Sequence, residues 1–150
     1  MSNKAKKLEM LKVLLLLVVL FPQTYETYIN GSWASPYKPT LTIERSRSFV
    51  SVKVKLGAKN GWDTKTVEFR GEASGYRMFM VEAKTHDTFW VNHHGKRCLV
   101  KNAELLVGGT VKREALFVVN TGHIRGEVFC AGHKYGTYHN INLEGKWEKK

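Results

Sequence analysis

Along Phe49–Leu56 the chain alternates: Val50, Val52, Val54 and Leu56 fall on one parity, Ser51, Lys53 and Lys55 on the other. A period of two sends successive side chains to opposite faces of an extended strand, whereas on a helix the same residues would be spread around the whole circumference. The segment can therefore bury one face and wet the other only as a strand. The pattern recurs. Thr40–Glu44 sets Leu41 and Ile43 against threonines and Glu44, and Thr64–Arg70 sets Val67 and Phe69 against Glu68 and Arg70. Near the C-terminus Ile141, Leu143 and Trp147 oppose Asn142, Glu144 and Lys146. Between these lie Tyr76–Ala83, Thr88–Asn92, Lys96–Lys101, Val111–Val119 and Ile124–Ala131, several of them apolar on both faces, as strands covered on both sides are.

The breaks carry turn chemistry. Gly57-Ala58-Lys59-Asn60-Gly61, Ser74-Gly75, His94-Gly95, Gly108-Gly109, Thr121-Gly122, Gly132 and Gly136 punctuate the alternation, which reads as short strands joined by glycine turns. Asn102–Leu106 is the one rival helix, and it is brief. No internal repeat, low-complexity tract or linker is read. The expected fold is all-β, a single antiparallel meander closing as a small barrel, with a β-sandwich as the alternative.

Ahead of this pattern Lys4, Lys6, Lys7 and Lys12 lead into an apolar run, Val13–Phe21, which Pro22 closes. Positive charge followed by a short hydrophobic stretch is the order of an export signal. Nine residues suit a signal core of about 7–15 better than a spanning helix of about 20. A cleavage pair of small residues is missing from Gln23–Thr27, and Ser32-Trp33-Ala34 lies well beyond Phe21. Residues 1–24 are thus read as an N-terminal hydrophobic helix, either a signal peptide or a short membrane anchor through residues 8–21. A buried helix of a cytosolic protein is the third reading. No cysteine lies near Pro22 to carry a lipid. Residues 25–150 form one domain, expected to be periplasmic or secreted, or else membrane-anchored and facing outward because the lysines stay cytoplasmic.

Charge narrows the partners. The leader through Pro22 holds four lysines and one glutamate, which leaves +8 of the chain's +11 on the domain. Such a surface favours anionic partners: a glycan, a lipid headgroup or an acidic protein. For an exported chain nucleic acid is not favoured. The candidate binding residues are Arg45, Arg47, Lys53, Lys55, Lys96, Arg97, Lys112 and Arg113, with Lys101 also flanking Cys98 and Lys146, Lys149 and Lys150 around Trp147. Basic residues interleaved with aromatics on a β-surface can hold a polyanion through charge and stacking; a solvated strand face has the same composition.

Cys98 and Cys130 are an even pair, and in an oxidising compartment a disulfide is the default. Two separate buried thiols are the alternative. His93-His94, Cys98, Cys130 and His133 can also be read as H-x3-C and C-x2-H, a spacing compatible with tetrahedral zinc, but oxidation would remove both thiolates, and no metal or other cofactor is assigned. Asn30-Gly31-Ser32 fits the glycosylation acceptor pattern. No nucleophile elbow, zinc-protease helix or phosphate-binding glycine loop occurs. Asp63 and Asp87 stand near turns, and His123, His133 and His139 with Lys134 form the one set from which an acid–base pair could be drawn. No catalytic residue is assigned.

The start of the domain, Tyr28-Ile29-Asn30-Gly31-Ser32-Trp33, places Gly-x-Trp where the first strand should begin. In this, and in its nearly helix-free meander, the chain resembles the calycin superfamily of lipocalin-like and avidin-like barrels. That resemblance implies that Trp33 plugs the barrel floor and that the interior holds a small apolar ligand, with Phe69, Met78, Met80, Phe117 and Val128 among inward positions. The avidin-type tryptophan segments and the lipocalin-type helix before the last strand are missing. Three functions follow: an exported, non-enzymatic binding protein using a basic β-surface; a calycin-like barrel for a small apolar ligand; and an extracytoplasmic hydrolase or nuclease using histidines.

Overall fold

The computed structural model describes residues 28–57 and 65–150. The leader, Asp63 and residues 58–61 of the first expected turn lie outside them. Ten strands follow one another: β1 (Gly31–Ala34), β2 (Thr40–Ser46), β3 (Phe49–Lys55), β4 (Thr66–Gly75), β5 (Met78–Lys84), β6 (Phe89–His93), β7 (Lys96–Lys112), β8 (Ala115–Cys130), β9 (His133–Asn142) and β10 (Gly145–Lys149). Every pairing is antiparallel, and no helix occurs among the described residues. Eight strands close a barrel in the order β1-β2-β3-β4-β5-β7-β8-β10 and back to β1.

Closure as a barrel follows the expectation from alternation, while the path of the chain departs from a plain meander. β7 and β8 are 17 and 16 residues long and form a hairpin that outruns the barrel. Near the turn they pair with β5 and β10; farther along, Lys96–Val100 pairs with β6 and His123–Cys130 with β9. The result is a four-stranded extension, β6-β7-β8-β9, at one end of the barrel. Asn102, with φ 52°, marks the change of partner on β7, where the register shifts between Lys101 and Glu104.

Three of the turns expected at glycines are strand interior, among them Gly136 within β9. Gly108-Gly109 lies within β7 and Thr121-Gly122 within β8, while the hairpin turns at Arg113-Glu114, inside the segment expected as a strand. At Gly109 the reason is steric. A Cβ at Gly109 would overlap the Phe117 carbonyl oxygen on the neighbouring strand, so glycine is needed there for close approach. The rival helix at Asn102–Leu106 is also strand.

Inward residues fill the barrel: Leu41 and Ile43 of β2, Val50, Val52 and Val54 of β3, Val67 and Phe69 of β4, and Phe79, Val81 and Ala83 of β5 are all buried. On β5 the inward parity is therefore the reverse of that expected. Met78 is exposed and Met80 half-buried on the outer wall, Phe117 is half-buried, and Val128 packs in the extension.

The seam between the first and last strands holds a repeat that the sequence reading passed over. Ile29-Asn30-Gly31-Ser32-Trp33 and Leu143-Glu144-Gly145-Lys146-Trp147 share apolar-x-Gly-x-Trp. Gly31 and Gly145 have φ of 134° and 132°, a region L-residues rarely adopt. Each kink turns the chain so that the indole reaches back to the carbonyl four residues earlier: Trp33 Nε1 donates to Ile29 O at 2.8 Å and Trp147 Nε1 to Leu143 O at 2.9 Å. Both indoles are buried. Since β1 and β10 are antiparallel with Ala34 opposite Glu148, the two motifs are related by a local two-fold axis through that pair, and each tryptophan closes toward a different end.

Candidate functional site at the basic end of the barrel

Hairpin geometry gathers the cations. The β2–β3, β4–β5 and β7–β8 turns all lie at the end of the barrel where β10 finishes and β1 begins. That end presents Arg47, Arg77, Lys112, Arg113, Lys149 and Lys150, all exposed. A groove of about 670 Å³ opens between them, lined by Tyr28, Arg77, Val111, Lys112, Arg113, Glu114 and Lys149. Four cations thus face one carboxylate across a concave surface. The Val111 N–H donates to Arg77 O at 2.8 Å and the Lys149 N–H to Glu114 O at 3.1 Å, so backbone bonds fix the spacing of the groove's walls. Lys149 reaches over the buried Trp33, its Nζ 5.7 Å from the ring centroid, so Trp33 lies beneath this end.

Arg45 has a different role from its basic neighbours. It is 7% exposed, and its guanidinium donates to Arg47 O at 2.6 Å, to Gly75 O at 2.6 Å and to Ala73 O at 3.4 Å. A charged donor forked over carbonyls of two turns holds the β2–β3 and β4–β5 hairpins together. Arg45 is therefore a clamp for the basic end and does not face a ligand. Asn30 supports it: its Oδ1 accepts from the Arg45 N–H at 2.7 Å and its Nδ2 donates to Arg45 O at 3.3 Å. The atom a glycan would occupy is used by the fold.

The remaining sequence candidates separate. Lys53 and Lys55 are exposed on the barrel wall, on the face expected from alternation. Acids accompany them there: Glu68 stands opposite Lys53 and pairs with Arg70 at 2.8 Å, and Lys84 pairs with Glu104 at 3.5 Å. Hydrogen bonds from Arg70 and Ser51 hold the Glu68 carboxyl below the usual range. This wall is charge-compensated. Lys96 and Arg97 sit at the β6–β7 turn, at the opposite end of β7 from Lys112; at about 3.3 Å per residue the two groups are roughly 50 Å apart along the strand. They belong to another surface, where Arg97 covers Trp90 at 5.0 Å, Lys101 Phe129 at 4.8 Å and Arg125 Tyr138 at 4.1 Å.

Cys98 and Cys130 face each other across β7 and β8 and form a disulfide, with Cα atoms 4.4 Å apart. The thiolates required by the H-x3-C and C-x2-H reading are consumed. A disulfide is consistent with an oxidising, extracytoplasmic location. Of the histidine trio, His123 and His139 do not converge, and the side chains of His133 and Lys134 lie outside those described. His139 is level with Gly126 and shares its inward face, whereas His123, of the other parity, faces the outer groove with Glu82, Lys84 and Glu104. No group of three or more metal-binding side chains is assembled among the described residues.

Instead His139 meets His93, with Nδ1 atoms 3.1 Å apart, joining the two outer strands of the extension over its disulfide face. Burial, then the nearby His93 and His94, lowers the His139 imidazole to about 4. Burial followed by His94 lowers His93 too. Between pH 6.5 and about 4 the unfolded chain therefore binds a proton at His139 that the folded chain refuses, so stability falls as pH falls through that window. The loss is expected to reach at most about 3 kcal/mol, less for the ring's partial exposure. Urea unfolding at pH 7 and pH 4.5 checks this: His139→Gln should lose less stability between the two than the parent, and equal losses would refute it.

Sequence reading missed Arg77 and Tyr28 as groove residues, the first lying in a turn, the second ahead of β1. No protein-family model, curated protein or solved structure matches the chain.

Proposed function

We propose that this is an exported, non-enzymatic binding protein that holds an anionic glycan at the basic end of its barrel. The groove lined by Arg77, Lys112, Arg113 and Lys149 against Glu114 alone carries the reading. Its volume falls in the range of about 300–1,000 Å³ typical of ligand sites, which suits a few sugar units bearing sulfate or carboxylate groups. Arginines offer forked donors to such groups, and Tyr28, with the Arg77 guanidinium 6.0 Å from its ring centroid, gives the groove an aromatic wall. The signal-like leader and the disulfide support export, whether residues 1–24 are removed or retained as an anchor. The closed barrel with Gly31-Ser32-Trp33 on β1 supports the calycin likeness as part of this proposal. A small apolar ligand inside the barrel finds less support: the inward positions of the described strands are buried apolar side chains, and grooves of about 440–670 Å³ among the described residues open on the outer wall or rim.

Binding of the full chain to a sulfated oligosaccharide should weaken steeply between about 0.05 M and 0.5 M salt. Reversal of Arg77, Lys112 and Arg113 to Glu should cost at least about tenfold in affinity, while Lys53→Glu with Lys55→Glu on the compensated wall should change it little. Equal losses from both sets would move the site to the wall. Binding to anionic vesicles without binding to the glycan would end the glycan reading.

A further inference from the structure

We propose that His93 and His139 form a site for one divalent transition-metal ion, bound most tightly as copper(II) and also as nickel or zinc. The observation is the 3.1 Å separation of their Nδ1 atoms. Two imidazoles bound to one metal at about 2.0–2.1 Å have nitrogens about 2.9 Å apart at a right angle and about 3.3 Å apart at the tetrahedral angle. The pair already lies between those limits. The separation therefore suits a metal, and for the ion to replace the hydrogen bond each ring must turn so that its Nδ1 lone pair, aimed at the other nitrogen with the ring centroids 5.3 Å apart, points at the ion instead. In the neutral pair one Nδ1 donates and the other accepts; on metal binding the donor ring carries its proton on Nε2 instead, which frees both Nδ1 lone pairs without net loss of a proton.

The donor set selects the ion. Cys98 and Cys130 are joined to each other, so no thiolate is offered, and two imidazoles suit copper, nickel and zinc, with copper(II) favoured by the general order of affinities. His94 is the nearest further imidazole, exposed and edge-on to His93 with ring centroids 4.3 Å apart. It or water completes the coordination. The two ligands come from β6 and β9, the outer strands of the extension, so the ion would clip these strands together over the disulfide face. An ion bound only by the folded state must raise its stability.

The test uses the full chain with copper sulfate in a non-chelating buffer, with zinc and nickel salts alongside. One equivalent of copper should bind, the electron paramagnetic resonance spectrum should show at least two nitrogen ligands, and the melting temperature should rise. His93→Ala and His139→Ala should each weaken binding by at least about tenfold, while His123→Ala on the outer wall should leave it unchanged. Retained affinity in either ligand variant overturns the proposal, as does the absence of saturable one-to-one binding. If His139→Ala fails to fold, the half-exposed His93→Ala and the parent spectrum decide, and fewer than two nitrogens in that spectrum is again fatal.

Discussion

Trp33→Ala is expected to lower the unfolding free energy by about 3–5 kcal/mol, and Trp147→Ala by a similar amount. Each indole is among the largest fully buried side chains. Each also satisfies a buried carbonyl, Ile29 O or Leu143 O. Truncation leaves a cavity where two kinked strands meet, and it orphans an acceptor whose desolvation is worth about 1–3 kcal/mol. The location raises the stakes. β1 and β10 pair at Trp33–Lys149 and Ala34–Glu148, with the Lys150 N–H donating to Ser32 O and the Ser35 hydroxyl to Lys146 O, each at 2.8 Å, and this short seam is what closes the barrel. Domains of this size have about 5–15 kcal/mol to lose, so the double variant should not fold cooperatively. Trp→Phe at either site isolates the hydrogen bond, because it keeps most of the apolar volume, and should cost less than the alanine change. Urea unfolding measures all of these. An alanine variant within about 1 kcal/mol of the parent would show that the indoles do not hold the seam.

That seam shows where sequence reading succeeded and where it stopped. The alternation of β2 and β3 was legible because each strand buries one face, and the inward residues Leu41, Ile43, Val50, Val52 and Val54 are apolar, with Arg45 at the end of β2 the exception. β7 and β8 were less legible because their glycines serve close packing between strands, while the turn at Arg113-Glu114 carries no glycine or proline. The site divides in the same way. Lys112 and Arg113 stand together in sequence and could be singled out, but Arg77 and Lys149 join them only once the barrel closes. Arg45 looked like its basic neighbours and is a buried clamp, since composition carries no information about which carbonyls a guanidinium will meet. His93 and His139 are brought together only because β6 and β9 flank the same long hairpin.

Replacing Cys98 and Cys130 with serine, or reducing the disulfide, is expected to lower stability by about 3.5–4 kcal/mol, the chain entropy of closing a loop of this length. The loss should begin in the extension. Cys98, Cys130 and Val128 form a small cluster apart from the main core, which takes in Phe89, Val91 and Val100 of the same extension, and beyond those residues few buried groups offset the entropy of ordering the strand ends without a covalent tie. The register shift at Asn102 further separates these strand ends from the barrel ladder. Amide exchange should therefore accelerate at Lys96–Lys101 and Glu127–Cys130 before it does in β2–β5. The contact between His93 and His139 depends on the same strands, so copper binding should weaken in the serine variant. Glycan binding at the basic end, beyond the barrel and formed by the opposite turn of the hairpin, should persist. Uniformly faster exchange throughout the barrel would mean that the bond supports the whole fold, and loss of glycan binding together with copper binding would mean that the two ends are not independent.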